Sequence, residues 1–79
     1  MVNINPEFKT ISDKEPTLEE MQKFVGGYIE VQYLPNNEQI IMNEEGRIQG
    51  LQFNPLASKY AGFHILGNAI LLKGKGLLT

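Results

Sequence analysis

Cysteine and tryptophan are missing from this 79-residue chain, and histidine occurs once, as His64. Without cysteine no disulfide framework supports a small core, which argues against a secreted mini-scaffold and points to the cytosol. Structural zinc is excluded as well, because such sites draw their ligands from Cys and His, and a catalytic zinc centre would lack a second imidazole. Long apolar runs are also absent. No segment approaches the ~20 residues of a membrane span, and Met1 to Thr10 carries neither the apolar nor the basic part of a signal peptide. Positive charge is scarce: seven Lys and Arg stand against nine Asp and Glu, a net charge of −2. That balance disfavours nonspecific nucleic-acid binding, which is driven by cations displacing counterions. Glu44-Glu45-Gly46 is too short for an EF-hand loop, and Gly74-Lys75-Gly76 is a basic tail without the rest of a phosphate-binding motif.

What is present is one small domain. A chain of 79 residues buries little more than ~60% of its unfolded surface, so it supports a single core. Charge is unevenly spread: every acidic residue lies at or before Glu45, giving −6 for residues 1–45, whereas Arg47, Lys59, Lys73 and Lys75 give +4 for residues 46–79. In a compact domain the two halves interleave and partly neutralise each other.

Val2 to Asn5 and Phe8 to Ile11 alternate apolar and polar residues around Pro6, which predicts a first strand with a break. Thr17 and Glu20 form a capping box, and Leu18, Met21 and Val25 fall on one helical face beside Phe24. Gly26 ends that helix in the left-handed manner. From Tyr28 the period changes to two, so Ile29, Val31 and Tyr33 share one face of a strand. Pro35-Asn36-Asn37 turns the chain into Gln39 to Asn43, a hairpin. Asn43-Glu44-Glu45-Gly46 reads as a type I turn closed by a left-handed glycine, with Arg47 to Gln49 returning as a third strand. Asn54-Pro55 starts a second helix by capping and by proline at the first helical position. Leu56, Ala57 and Tyr60 give it an apolar face, and Gly62 stops it. Phe63 to Leu72 is a buried strand interrupted at Gly67-Asn68. The order β-α-β-β-β-α-β predicts an α+β domain spanning residues 1–79, with a mostly antiparallel sheet, both helices on one face, and residues 73–79 as a flexible or partner-bound tail.

Taken together, Val25-Gly26-Gly27-Tyr28-Ile29-Glu30-Val31, Tyr33-Leu34-Pro35-Asn36, Asn43-Glu44-Glu45-Gly46, Gly50-Leu51, Asn54-Pro55 and Ala57 resemble a family of small domains of unknown function. That family is found in bacteriophages, cyanophages among them, and in bacterial genomes. The resemblance runs from about Glu15 to Leu72, while Gln52-Phe53 and the tail Lys73 to Thr79 depart from it. It implies a viral or mobile-element origin and an intracellular setting, and it brings no catalysis, cofactor or site residues.

Function is therefore expected to be non-catalytic, with no cofactor and no metal. His64 has no partner nucleophile or orienting carboxylate nearby in sequence. The alternative is a small-ligand binder, for a nucleotide or signalling metabolite: a phosphate would meet the start of either helix, near Thr17 or Asn54, with Arg47 and His64 as further candidate contacts. Tyr28, Tyr33, Phe53 and Tyr60 read as core aromatics rather than as a platform for bases. The leading expectation is association, either as a homo-oligomer or with a host or viral protein. The last strand and tail are expected to carry it, through Ile70, Leu72, Leu77 and Leu78.

Overall fold

Four short strands and two helices assemble in a computed structural model that describes residues 5–79. The strands are β1 (Phe8–Ile11), β2 (Ile29–Leu34), β3 (Glu38–Asn43) and β4 (Ala69–Leu72); the helices are α1 (Leu18–Val25) and α2 (Pro55–Ala61). The sheet order is β1-β4-β3-β2. β4 runs parallel to β1 and antiparallel to β3, and β3 runs antiparallel to β2. The α+β class and the mostly antiparallel sheet agree with the sequence. Of the Val2 to Asn5 alternation only Asn5 lies within the described residues, whereas Phe8 to Ile11 forms the expected strand.

The helices lie on opposite faces of the sheet, not on one as expected. On the α1 face Met21 and Val25 pack with Ile41, Ile70 and Leu72; on the other, Ala57 packs with Ile40, Met42, Ile65 and Ala69. Successive residues of a strand point to opposite faces. A central strand covered on both sides therefore needs apolar residues at every position, which accounts for the runs Ile40-Ile41-Met42 and Ala69-Ile70-Leu71-Leu72. Ile40, Ile41, Ile70 and Leu72 are all less than 2% exposed, each contributing about 1.5–3 kcal/mol of apolar burial.

Local signals operate as their chemistry dictates. The Thr17 hydroxyl accepts from the Glu20 N–H at 3.1 Å, while the Thr17 N–H donates to the Glu20 carboxylate at 2.9 Å. Gly26 closes α1 at φ 83°, and its N–H and that of Gly27 both donate to the Gln22 carbonyl. In the β2–β3 hairpin Asn36 and Asn37 take φ of 68° and 60°, a region that asparagine tolerates better than other side chains. Three local expectations fail. Arg47 to Gln49 is not a third strand but a run of turns, because Gln49 N–H donates to Glu45 O and Leu51 N–H to Gly46 O. Gly46 is not left-handed; its backbone lies close to Leu66, where an added Cβ would make a tight contact of 3.2 Å with the Leu66 Cβ. Of Phe63 to Leu72 only β4 is strand, and the preceding segment reaches the Gln52–Asn54 segment through a Phe53–Leu66 bridge.

Candidate functional site

Arg47 and His64 meet in one cleft. Its volume is about 240 Å³, and Glu30, Met42, Asn43, Glu44, Gly46 and Leu66 complete its lining. Gly46 lets the loop after β3 approach Leu66 closely, which brings the two loops together. Asn43, buried at the end of β3, fixes the first of them: its Oδ1 accepts from the Glu45 N–H at 2.7 Å, and its Nδ2 donates to the Val25 carbonyl and to Gln49 Oε1. His64 packs against the Phe53 ring, with centroids 5.0 Å apart. Glu30 accepts from Gln32 Nε2 at 2.6 Å. Arg47 and His64 thus share an open polar groove with two acidic residues, Glu30 and Glu44. Glu30, Glu44 and His64 line it without converging as a three-ligand metal group among the described residues. Such a groove offers hydrogen bonds to a polar surface but no aligned nucleophile and base.

Asn54 is not part of that cleft. It is fully buried and caps α2, its Oδ1 accepting from the Ala57 N–H at 3.0 Å. Its Nδ2 donates to the Glu7 and Gly67 carbonyls at 3.0 and 2.9 Å. Both amide hydrogens and the oxygen of its side chain are engaged within the fold. Asn68 plays a related part, donating to the Phe24 carbonyl at the end of α1 and accepting from the Glu7 N–H. Asn43, Asn54 and Asn68 together fasten both helices and the start of β1 to the sheet. In the sequence Asn54 reads as a cap, Asn43 as the start of a turn and Asn68 as a break in a strand, because a long-range staple has no motif.

The four residues expected to meet a partner divide into two pairs. Ile70 and Leu72 are buried inside the protein's own core, since β4 is a central strand flanked by β1 and β3 rather than an open edge. Leu77 and Leu78 are half-buried, and with Tyr33, Leu34, Asn37, Glu38 and Gln39 they line a cleft of about 400 Å³. Residues 73–79 make contacts with the rest of the domain. Gly74–Gly76 forms a short 3-10 turn, Gly76 lies so close to the Ile11 carbonyl that a Cβ would collide with it, and Leu78 packs on the α1-side core. The Leu78 N–H donates to Gln39 Oε1 at 2.8 Å.

Aromatic and aliphatic exposure corrects a further expectation. On α2 the small residues Ala57 and Ser58 face inward, while Leu56 is 66% and Tyr60 49% exposed. Ser58 Oγ accepts from the Ile65 N–H at 2.8 Å, so the helix sits close to the loop that precedes β4. Phe53 before the helix and Phe63 after Gly62 are exposed as well, although both lie outside α2. Tyr60 donates to Glu38 Oε1 at 2.6 Å, and this bond pushes its phenol pKa up. Tyr28 and Tyr33 are 67% and 78% exposed and are not core residues, and Leu18 at 55% leaves Met21 and Val25 to anchor α1. The clue in the sequence was the pair Ala57 and Ala61, four apart, which permits close approach where Leu56 and Tyr60 do not.

No helix among the described residues is long and apolar enough to cross a membrane. Neither a curated protein nor a solved structure matches the chain. The domain of unknown function DUF3846 matches residues 2–77, nearly the full length, in keeping with the resemblance to a family of small domains without assigned activity. The chain belongs to the DUF3846 family.

Proposed function

We propose that this protein is a non-catalytic protein-interaction module, encoded by a bacteriophage and working in the cytoplasm of the host. The supporting observation is the set of large exposed apolar side chains on α2 and at its flanks: Leu56 and Tyr60 on the helix, Phe53 before it and Phe63 after it. Large apolar side chains grouped on one exposed surface mark sites where another macromolecule is met. The phage setting is supported by the ordered motifs from Val25 to Ala57, and the host cytoplasm follows from it.

A second reading takes the Arg47–His64 cleft as a site for a nucleotide or a signalling metabolite. Its volume of about 240 Å³ is below the ~300–1,000 Å³ of ordinary small-molecule pockets, so the interaction reading is preferred. A photo-crosslinking amino acid at Leu56, with Glu19 on α1 as the control position, tests it in a bacterial host lysate. A discrete adduct from position 56 that disappears with Tyr60→Asp is expected. No adduct, or the same adducts from both positions, overturns the reading. A melting temperature raised by one member of a nucleotide panel moves the assignment to the cleft, since a ligand at a hundredfold excess over Kd adds ~2.7 kcal/mol.

A further inference from the structure

We propose that β2 is the contact edge of a symmetric homodimer, in which two antiparallel β2 strands pair about a two-fold axis at Val31 and join two four-stranded sheets into one. This surface is separate from the one at α2, and the inference does not depend on it.

β2 has a neighbour on one side only. In the β2–β3 ladder Tyr28 O accepts from the Glu44 N–H, which makes that directly opposed pair hydrogen-bonded. Hydrogen-bonded pairs alternate with non-bonded ones along an antiparallel ladder. Tyr28, Glu30, Gln32 and Leu34 therefore turn their backbone groups toward β3, and Ile29, Val31 and Tyr33 turn theirs outward. A strand edge of this kind is a template for another strand unless something blunts it. The opposite edge, β1, is four residues long, carries Lys9 and follows Pro6. From Tyr28 to Leu34, β2 carries one charge, Glu30, and neither lysine nor proline.

The occupant is identified by the strand's own symmetry. Outward from Val31, Tyr28 to Leu34 gives the same order of residue classes in both directions: polar at Glu30 and Gln32, then apolar or aromatic at Ile29 and Tyr33 and at Tyr28 and Leu34. Antiparallel pairing centred there sets Ile29 against Tyr33 of the second copy and Val31 against Val31. These are the residues whose backbone groups face outward, so three pairs with two bonds each give about six inter-chain hydrogen bonds. Glu30 falls opposite Gln32 of the second copy, a charge-compatible pair. Centring the axis on Glu30 instead would oppose two carboxylates, which is unfavourable. Side-chain faces also agree. Ile29 and Val31 already pack on the α1-side core, and pairing continues that apolar row through Val31 and Tyr33 into the second copy. On the other face Tyr28 meets Leu34.

Sedimentation of the full chain, together with three variants and two single cysteines, tests the register as well as the association. A dimer at tens of micromolar is expected. Gln32→Glu, which opposes Glu30 with a second carboxylate at two symmetric places, should raise its Kd about tenfold, and Gln32→Lys should lower it. Tyr33→Pro removes only an outward N–H and should yield a folded monomer by circular dichroism. Because the chain has no cysteine, oxidation of Val31→Cys should give a self-disulfide, its Cα atoms lying about 5.5 Å apart. Tyr33→Cys should not, its equivalents being about 13 Å apart. A monomer at these concentrations overturns the proposal. So does a dimer indifferent to both Gln32 variants, or one that crosslinks through Tyr33→Cys and not through Val31→Cys. None of these results affects crosslinking from Leu56.

Discussion

Replacing Asn54 with alanine is expected to cost about a third of the domain's stability, although the residue has no contact with any candidate site. Three hydrogen bonds are lost at once: the α2 cap from the Ala57 N–H and the two donated to the Glu7 and Gly67 carbonyls. Loss of a cap costs ~1 kcal/mol. The Gly67 carbonyl belongs to a buried residue and, left without a donor, adds ~1–3 kcal/mol. Glu7 is exposed, so water replaces most of its bond and its share is small. The sum, about 3 kcal/mol, compares with ~4–12 kcal/mol expected for a domain of this length, and it corresponds to a fall in Tm of about 12–24 °C. Urea unfolding monitored by circular dichroism gives the number directly, with an unchanged m-value showing that the compactness of the two end states is unaltered. Asn54→Ser separates the contributions, because serine caps about as well as asparagine but cannot donate to two carbonyls. It should recover about 1 kcal/mol of the loss. A loss below about 1 kcal/mol for Asn54→Ala would refute the staple, because the cap alone accounts for that much. Native-like stability in Asn54→Ser would refute the contribution of the amide donors.

Gly26→Ala should destabilise by ~1 kcal/mol, since φ is 83° and an added Cβ would meet nothing within 4 Å, leaving backbone conformation as the whole cost; an unchanged thermal melt would contradict the left-handed cap. Hydrogen bonds from the Thr17 N–H and then its hydroxyl hold the Glu20 carboxyl below its ordinary pKa. Its contribution is present above the unfolded pKa of about 4.3 and is lost as pH falls through the lower folded value. The gap in urea midpoint between the natural chain and Glu20→Gln should therefore be open at neutral pH and close on acidification; a gap independent of pH would contradict the capping box. The Tyr60 phenol, raised first by its bond to Glu38, contributes below its unfolded pKa of about 10 and ceases to as pH rises through the folded value. Glu38→Gln should lower the pKa of Tyr60 in an ultraviolet titration that uses Tyr60→Phe to assign the signal; no change would mean that the bond does not persist in solution.

Much of the fold was legible in the sequence where the determining interaction is local. The Thr17–Glu20 box, Gly26, the Pro35-Asn36-Asn37 turn and Asn54-Pro55 each act within a few residues, and each marks the boundary it was expected to mark. Legibility failed where one segment answers to another far away. Ile40-Ile41-Met42 announces burial on both faces of a strand, but a consecutive run reads equally well as one apolar face with an irregularity, so both helices were assigned to the same side. Arg47 to Gln49 had the length of a strand yet only Ile48 as an apolar member, and Ile48 is 84% exposed. The candidate site was legible in part: Arg47 and His64 do share a cleft, because the loops that carry them meet at Gly46 and Leu66. Asn54 shows where that legibility stops. Its helix cap was visible, but the demands on its amide come from Glu7 and Gly67, which are 47 and 13 residues away.

The division of labour between interior and surface follows from the two-sided sheet. With a helix on each face, a chain this short must spend its apolar strand residues on its own core, and Ile70 and Leu72 are spent in that way. The C-terminal residues are then drawn in as well: Leu78 covers the α1-side core and satisfies Gln39, a buried polar residue on a central strand. The two surfaces proposed for association, the outward backbone of β2 and the outer side of α2, are ones that the core leaves outside. Both are held by elements whose stability resides elsewhere, in the asparagine staples and the central strands. Substitutions at Gln32 or Leu56 can therefore change binding with little effect on folding, whereas substitutions at Asn54 or Leu72 change folding first. That separation is what makes the β2 and α2 surfaces testable one at a time.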